Sequence, residues 1–144
     1  MNPPPVVTLL SSTPADAEHL KLLSVFHYIV GGILGLISLF PVFHLIFGAF
    51  MLFAPHYMEK KEGEIWILQA VGGFFMLFAG LLMAGGIALA IASVMSGRYL
   101  SQSRNYTFSF AVAAILCVFM PFGTVLGVFT LIVLSRPSVK TLYR

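Results

Sequence analysis

Histidine is the side chain in this sequence best suited to chemistry, and the chain has four, at His19, His27, His44 and His56. A haem held by two histidines needs both imidazoles at one depth on different helices. If Pro41 is a turn between two helices, His27 lies 14 residues before it and His56 lies 15 residues after it. This spacing allows a haem-binding electron-transfer site at His27 and His56. The simpler interpretation is that the histidines make ordinary polar contacts to backbone, water or lipid headgroups.

Other signatures of catalysis are missing from the sequence. It contains no Gly-x-Ser-x-Gly, His-Glu-x-x-His, Cys-x-x-Cys or phosphate-loop pattern, and these patterns supply the nucleophiles, metal ligands or phosphate contacts of common enzyme classes. The single cysteine, Cys117, lies in an apolar run and has no partner for a disulfide within the chain. Apart from the haem alternative, we therefore predict a protein that is not an enzyme and that has no cofactor and no metal site.

The elements that must position these residues are set by an unusually apolar composition. Of the 144 residues, 59% are hydrophobic and only 9% are charged, and the mean hydropathy is +0.98. Soluble domains carry about 25% charged residues, so lipid must surround most of this chain. The composition excludes a soluble enzyme, a nucleic-acid-binding domain and a disordered tail. The predicted partners are the lipid bilayer and other membrane subunits or a second copy, with no nucleic acid.

The charged residues fall in clusters that separate three charge-free stretches, residues 22–58, 65–97 and 105–135. Each stretch is longer than the roughly 20 residues that one membrane-spanning helix needs. No Asp, Glu, Lys or Arg lies deep within any of them. Because buried ionisable groups mark proton relays and ion-coupled transport, their absence argues against a pump or a coupled transporter.

These stretches predict an all-α, polytopic transmembrane helical bundle, with residues 1–13 as a flexible proline-rich tail and residues 14–144 as one transmembrane domain. Pro41 divides the first stretch, since proline interrupts a helix, and four spanning helices are expected. They cover about residues 20–40, 42–57, 65–97 and 105–135. The alternative is five spans, with a hairpin at Pro121. A loose repeat of Phe40-Pro41 at Met120-Pro121 favours that alternative.

The distribution of Lys and Arg helps to choose among these topologies. With four crossings, both termini and the loop 58–64 share one side of the membrane, which then carries six of the eight basic residues. These six are Lys21, Lys60, Lys61, Arg136, Lys140 and Arg144. Arg98 and Arg104 lie on the other side. Since basic residues favour the cytoplasmic side, we predict that both termini are cytoplasmic.

Small residues at helical spacing predict the helix-packing surfaces, because small side chains let helices approach closely within a bilayer. In the third helix they recur every four residues, at Gly80, Ala84, Ala88, Ala92 and Ser96. Shorter sets are Gly31 and Gly35 in the first helix, and Ser109, Ala113 and Cys117 in the fourth. On this basis, Ala88→Leu is expected to disrupt packing or partner association, whereas Leu89→Ala should matter less.

Two blocks of the sequence resemble an uncharacterised family of small bacterial multi-pass inner-membrane proteins. One block begins at His19 with HLKLLSVFHYIVGG, and the other, FMPFGTVLGVFTLIVLSRPSVK, ends at Lys140. The resemblance covers about a quarter of the chain. It implies a location in the bacterial inner membrane, and it transfers no active-site residue.

The functional prediction is a structural or accessory subunit of a larger membrane complex. It rests on the small-residue surfaces and on the lack of catalytic or charged groups within the spans. The alternatives are a small oligomeric pore, carrier or lipid-handling protein, whose polar lumen only Ser, Thr, Gln and His44 could line, and the haem-binding module described above.

Overall fold

The computed structural model describes residues 14–54, 62–119 and 121–143, and every regular element in these ranges is helical. The elements are α1 (Pro14–Ile37), α2 (Val42–Phe53), α3 (Glu62–Ser101), α4 (Tyr106–Leu116), α5 (Phe122–Ser135) and the short α6 (Pro137–Lys140). The predicted all-α class is confirmed for these residues. The predicted tail at residues 1–13 lies outside the described ranges.

Pro41 bends the first apolar stretch without ending its hydrogen-bonded backbone. Proline has no N–H, so the carbonyl of Ile37 accepts instead from the N–H of Phe40, at 3.0 Å. The regular pattern then resumes, since the N–H of Leu45 donates to the Pro41 carbonyl at 3.0 Å. The bend is therefore a short, tight turn of helix between α1 and α2.

The chain keeps its direction through this bend. A Cβ placed on Gly86 of α3 would lie 2.6 Å from the Cβ of Ser38, and one placed on Gly72 would lie 2.7 Å from the carbonyl oxygen of Gly48. As the chain advances from Ser38 to Gly48, its contacts thus move back along α3 by 14 residues, about 21 Å. The end of α1 and all of α2 therefore run antiparallel to the first part of α3.

The predicted division of the first stretch into separate crossings over residues 20–40 and 42–57 is wrong. Residues that accept left-handed or turn conformations, such as Gly, Asn or Asp, favour a helical reversal. The residues around the proline, Leu39-Phe40-Pro41-Val42-Phe43, include none of these. Proline alone removes one hydrogen bond and kinks the helix, which then continues to Phe53.

The prediction of one uninterrupted third helix is confirmed. Helix α3 contains 40 residues and passes through the Gly85-Gly86 pair without a break. It extends beyond the predicted range of residues 65–97 at both ends. After it, the chain reverses in a turn at residues 102–105, where Ser103 and Asn105 have positive φ angles of 49° and 51°. Asparagine tolerates this left-handed conformation better than most residues.

The last apolar stretch forms a hairpin of two short helices, so the predicted single helix over residues 105–135 is wrong. The hydroxyl of Tyr106, at the start of α4, donates to the carbonyl of Leu134, near the end of α5, at 3.2 Å. Near the tip, a Cβ on Gly127 would lie 2.5 Å from the carbonyl oxygen of Ala113. The two helices are therefore antiparallel, and the five-span alternative placed this hairpin correctly at Pro121.

The chain divides into two compact units. The first unit contains the residues up to Ile33 and those from Leu89 onward, and the second contains Leu34–Ala88. The first unit has a core of large apolar side chains with at most 2% of their surface exposed. They are Leu20, Leu100, Leu116, Leu134 and Val139. The second unit is built from the end of α1, α2 and the first part of α3.

Two helical segments of the described chain are long and apolar enough to cross a membrane, Pro14–Phe53 and Gly63–Ser101. Their most apolar windows have mean hydropathies of 2.2 and 2.4, yet only 17% of each window is buried. A core helix of a soluble protein has a similar composition but is mostly buried. Large side chains such as Leu36, Phe43 and Leu77 are instead more than two-thirds exposed, at 73%, 70% and 67%.

Candidate functional site

The predicted small-residue surface of α3 is largely uncovered by the rest of the described chain. Nothing lies within 4 Å of a Cβ placed on Gly80, and Ala84 and Ala88 are exposed. Only the C-terminal part of the set turns inward, since Ala92 is half-buried and Ser96 is completely buried. A four-residue spacing drifts around a helix that has 3.6 residues per turn, which explains why the two ends of the set face different surroundings.

A different set of small residues makes the internal contacts of the second unit. Gly72, Ala79 and Gly86 are seven residues apart along α3. Ala79 has 1% of its surface exposed. Gly72 meets the Gly48 backbone, and Gly86 meets Ser38. This set does not follow the four-residue spacing from which the packing surface was predicted, and its spacing of seven keeps to one helix face.

Ala88 and Leu89 have different surroundings within the chain, and these bear on the expectation stated for their substitution. Ala88 is exposed, whereas Leu89 has 9% of its surface exposed and belongs to the core. Within the chain, Leu89→Ala removes buried apolar volume, which costs stability. Ala88→Leu adds volume where the chain itself leaves room. The described residues therefore give no internal reason for Ala88→Leu to disrupt packing, and its effect on partner association stays a prediction.

The small residues predicted in the other helices lie at internal contacts or at the bend. A Cβ on Gly31 would lie 2.8 Å from a methyl carbon of Val94, and the carbonyl of Gly35 accepts a hydrogen bond from Ser38 at 2.7 Å. In α4, Ser109 and Ala113 are fully buried. The Cys117 Sγ lies 2.6 Å from a Cβ placed on Gly127 of α5, so the α4 set packs against the partner helix of its own hairpin.

The histidines have different surroundings. His27 is completely buried, and its Nδ1 lies 3.0 Å from the carbonyl oxygen of Leu23. His44 is exposed and stacks on Phe75 at a centroid distance of 6.2 Å. His56 lies outside the described residues, so its predicted pairing with His27 stays a prediction. Among the described residues, no three His, Cys, Asp or Glu side chains form a group that could hold a metal ion.

One end of the first unit carries a polar cluster that connects the start of α1 with the chain around α6. Asp16, with 7% of its side chain exposed, lies 3.8 Å from Arg136. The Lys140 ammonium lies 5.8 Å from the ring centroid of Tyr106, and Tyr143 packs against the same ring at 5.6 Å. Burial, with a further contribution from Tyr106, raises the pKa of Tyr143 to about 12.

The same end also holds the basic residues that the sequence analysis assigned to opposite sides of the membrane. The carbonyl of Ser24 lies 2.9 Å from a Cβ placed on Gly97, so the start of α1 lies beside the end of α3. Lys21 and Arg98 therefore lie at one end of the first unit. Arg104 lies in the turn just before Tyr106. The Tyr106 hydroxyl donates to the Leu134 carbonyl near the end of α5, so Arg104 lies at this end as well.

The described residues thus offer packing surfaces and a charged end. Comparisons of the chain with protein-family models, with curated proteins and with solved structures gave no match.

Proposed function

We propose that this protein is an integral membrane protein that serves as a structural or accessory subunit of a larger membrane complex, docked through an outward surface of α3. This docking surface consists of Gly73, Gly80, Ala84 and Ala88. The observation that carries the proposal is its exposure: no atom of the described residues lies within 4 Å of a Cβ on Gly73 or Gly80, and both alanines are exposed.

The docking surface is distinct from the internal packing surface of the same helix. At 100° per residue its four members fall within an arc of about 80°. The internal residues Gly72, Ala79 and Gly86 centre about 140° away from it. In a bilayer, where lipid is as apolar as leucine, small residues that let two backbones approach are what favours helix association. One side of α3 is thus used within the chain, and the other is available to a partner.

The proposed topology has two full crossings and one re-entrant hairpin. Pro14–Phe53 and Gly63–Ser101 supply the crossings. Helices α4 and α5 have 11 and 14 residues, which is about 16 and 21 Å, so neither crosses a hydrocarbon core of about 30 Å. They enter the bilayer and return to the side they came from. That side carries the basic end of the first unit and is cytoplasmic, and the resemblance noted above supports a bacterial inner membrane.

Site-specific photo-crosslinking in the native membrane tests the docking surface. A photoreactive phenylalanine analogue at Ala84 should capture one defined membrane protein, identified by mass spectrometry. The matched control is the same analogue at Phe78, which is 52% exposed and lies about 120° around α3 from Ala84. Capture of the same partner from both positions, or from neither, would contradict the proposal.

A substitution on the same surface provides the second test. Ala88→Leu should reduce recovery of the partner in a mild-detergent pull-down and leave the thermal stability of the isolated protein unchanged. Its control is Phe78→Leu, which should leave recovery unchanged. If Ala88→Leu destabilises the isolated chain instead, the surface has an internal role and the docking proposal fails.

A further inference from the structure

Polar side chains from four helices are buried together inside the first unit. They are Ser24 and His27 of α1, Ser93 and Ser96 of α3, Ser109 of α4, and Thr130 of α5. Ser24 has 3% of its surface exposed, and the other five have none exposed. Burying so many polar groups in an apolar bundle is costly unless each one has a hydrogen-bond partner.

Contacts between neighbouring helices place these residues within about one helical turn of each other along the bundle. A Cβ on Gly97 would lie 3.1 Å from the Cβ of His27, and Ser93 donates to the His27 carbonyl at 3.1 Å. The rings of Tyr99 and Phe108, 5.4 Å apart, align α3 with α4. The end of α3 that holds Ser93 and Ser96 therefore lies level with His27 on one side and with the start of α4 on the other.

The α4–α5 hairpin completes this layer. Ser109 lies on α4 between Tyr106, which bonds to the Leu134 carbonyl, and Ala113, which meets Gly127. Thr130 lies on α5 between Leu134 and Gly127, the residues that make those two contacts from the α5 side. Ser109 and Thr130 are therefore at one level, the level reached by Ser96 across the α3–α4 turn. We call these six residues the polar layer.

Three buried atoms of the polar layer have no hydrogen-bond partner among the described residues: His27 Nε2, Ser96 Oγ and Ser109 Oγ. The Nδ1 of His27 faces the Leu23 carbonyl at 3.0 Å. A carbonyl oxygen only accepts, so Nδ1 carries the ring proton. In the neutral ring, Nε2 is then left as an acceptor, and the two serine hydroxyls can each donate and accept.

Apolar residues close the polar layer on both sides. Leu20, Leu100 and Leu134 lie toward the charged end, and each has at most 2% of its surface exposed. Val30, Leu116 and Leu126 lie on the far side, with at most 8% exposed. A continuous polar path through the described part of this unit would have to pass these side chains, so the layer is an enclosed site.

We propose that the polar layer is an internal water-binding site, in which bound water donates to His27 Nε2 and bridges the hydroxyls of Ser96 and Ser109. Water supplies both donors and acceptors, and a buried water makes about three hydrogen bonds. The ligand is neutral because the layer contains neither a carboxylate to balance a cation nor a Lys or Arg to balance an anion. This inference does not depend on the partner docking proposed above.

Radiolytic footprinting of the unaltered protein in nanodiscs tests the proposal. An X-ray pulse forms hydroxyl radicals from water wherever it is bound, whereas laser photolysis of hydrogen peroxide forms them in bulk solvent. We expect oxidation of His27 after the X-ray pulse and none after peroxide photolysis, with exposed His19 oxidised by both. Absence of His27 oxidation in both experiments shows a dry layer and overturns the proposal. Oxidation in both shows a layer open to solvent and overturns its enclosed character.

A double variant identifies the residues that hold the water. Ser96→Ala with Ser109→Ala removes two of its partners and should lower X-ray oxidation of His27 to background, while peroxide photolysis still leaves His27 unmodified. The control is Ser101→Ala, an exposed serine of α3 whose hydroxyl bonds to the Arg98 carbonyl of its own turn, and which should leave His27 oxidation unchanged. Unchanged His27 oxidation in the double variant would refute the assignment of these serines.

Discussion

Two adjacent glycines of α3 have different surroundings, and this difference can be measured. A Cβ on Gly72 would lie 2.7 Å from the Gly48 carbonyl oxygen and 2.9 Å from the backbone nitrogen of Leu52, whereas nothing lies within 4 Å of one on Gly73. Backbone atoms cannot rotate away, so Gly72→Ala should force α2 and α3 apart. We expect it to lower the free energy of unfolding by about 1–3 kcal/mol, as overpacking does.

Gly73→Ala is the matched control for this substitution. Alanine stabilises a helix by up to about 1 kcal/mol relative to glycine, and here its methyl group meets no other atom. We therefore expect the unfolding free energy, measured by denaturation in mixed micelles, to be unchanged or higher. Equal losses for the two variants would show that the close approach of Gly72 to Gly48 is not what limits substitution.

Tyr143 gives a prediction about pH. Burial, followed by the effect of Tyr106, raises its pKa from 10.0 to about 12, so the folded protein retains this proton more strongly than the unfolded chain does. The stability linked to Tyr143 is therefore fully present below pH 10 and is lost as the pH rises from 10 to about 12.

Tyr143→Phe should remove that part of the alkaline loss of stability. Since the Tyr143 hydroxyl has no hydrogen-bond partner among the described residues, we expect no loss of stability below pH 10 on its removal. Denaturation curves recorded for both proteins below pH 10 and between pH 10 and 12 provide the measurement. Parallel pH profiles would show that the phenol ionises alike in the folded and unfolded states.

Among the elements, the α4–α5 hairpin depends on a hydrogen bond at its tip. The carbonyl of Cys117 would ordinarily accept from the backbone of residue 121, but Pro121 has no N–H to donate. The Thr124 hydroxyl donates to that carbonyl instead, at 2.8 Å. In lipid no solvent replaces a lost donor. Thr124→Val should therefore destabilise the protein by about 1–3 kcal/mol.

Thr124→Ser keeps the hydroxyl and should retain most of this stability, which separates the hydrogen bond from the volume of the side chain. Denaturation of both variants in mixed micelles gives the comparison. A serine variant as unstable as the valine variant would indicate that the threonine methyl group, and not the hydroxyl, supports the hairpin.

The two prolines show how far the sequence could predict these elements. The recurrence of small residues every four positions from Gly80 to Ser96 predicted the continuity of α3, and hydropathy was enough for the class of fold, because that class follows from long apolar runs. Hydropathy was not enough to separate a kink from a reversal. Pro41 lies between large apolar residues and only bends the helix, whereas Pro121 is followed by Gly123 and Thr124, which permit close packing and supply the missing donor.

At the scale of the whole molecule, the charge count could not have chosen between the two topologies. The predicted four-crossing topology groups six basic residues on one side, with Arg98 and Arg104 opposite. The topology proposed from the contacts also groups six basic residues on one side. In it, Arg98 and Arg104 belong to that group, and Lys60 and Lys61 lie opposite. Both arrangements satisfy the preference for basic residues on the cytoplasmic side equally well, so the charge count does not separate them.

Cysteine accessibility distinguishes these topologies at residues 64 and 102. In a Cys117→Ala background, Glu18→Cys, Gln102→Cys and Thr141→Cys should all react with a membrane-impermeant maleimide from the same side, and Glu64→Cys from the other. All four positions are exposed. Four crossings would instead place Gln102→Cys opposite Glu18→Cys and Thr141→Cys. Labelling of residue 102 from the side opposite residues 18 and 141, with residue 64 labelled from the same side as those two, in spheroplasts and inverted vesicles, would therefore refute the re-entrant hairpin and restore the four-crossing arrangement.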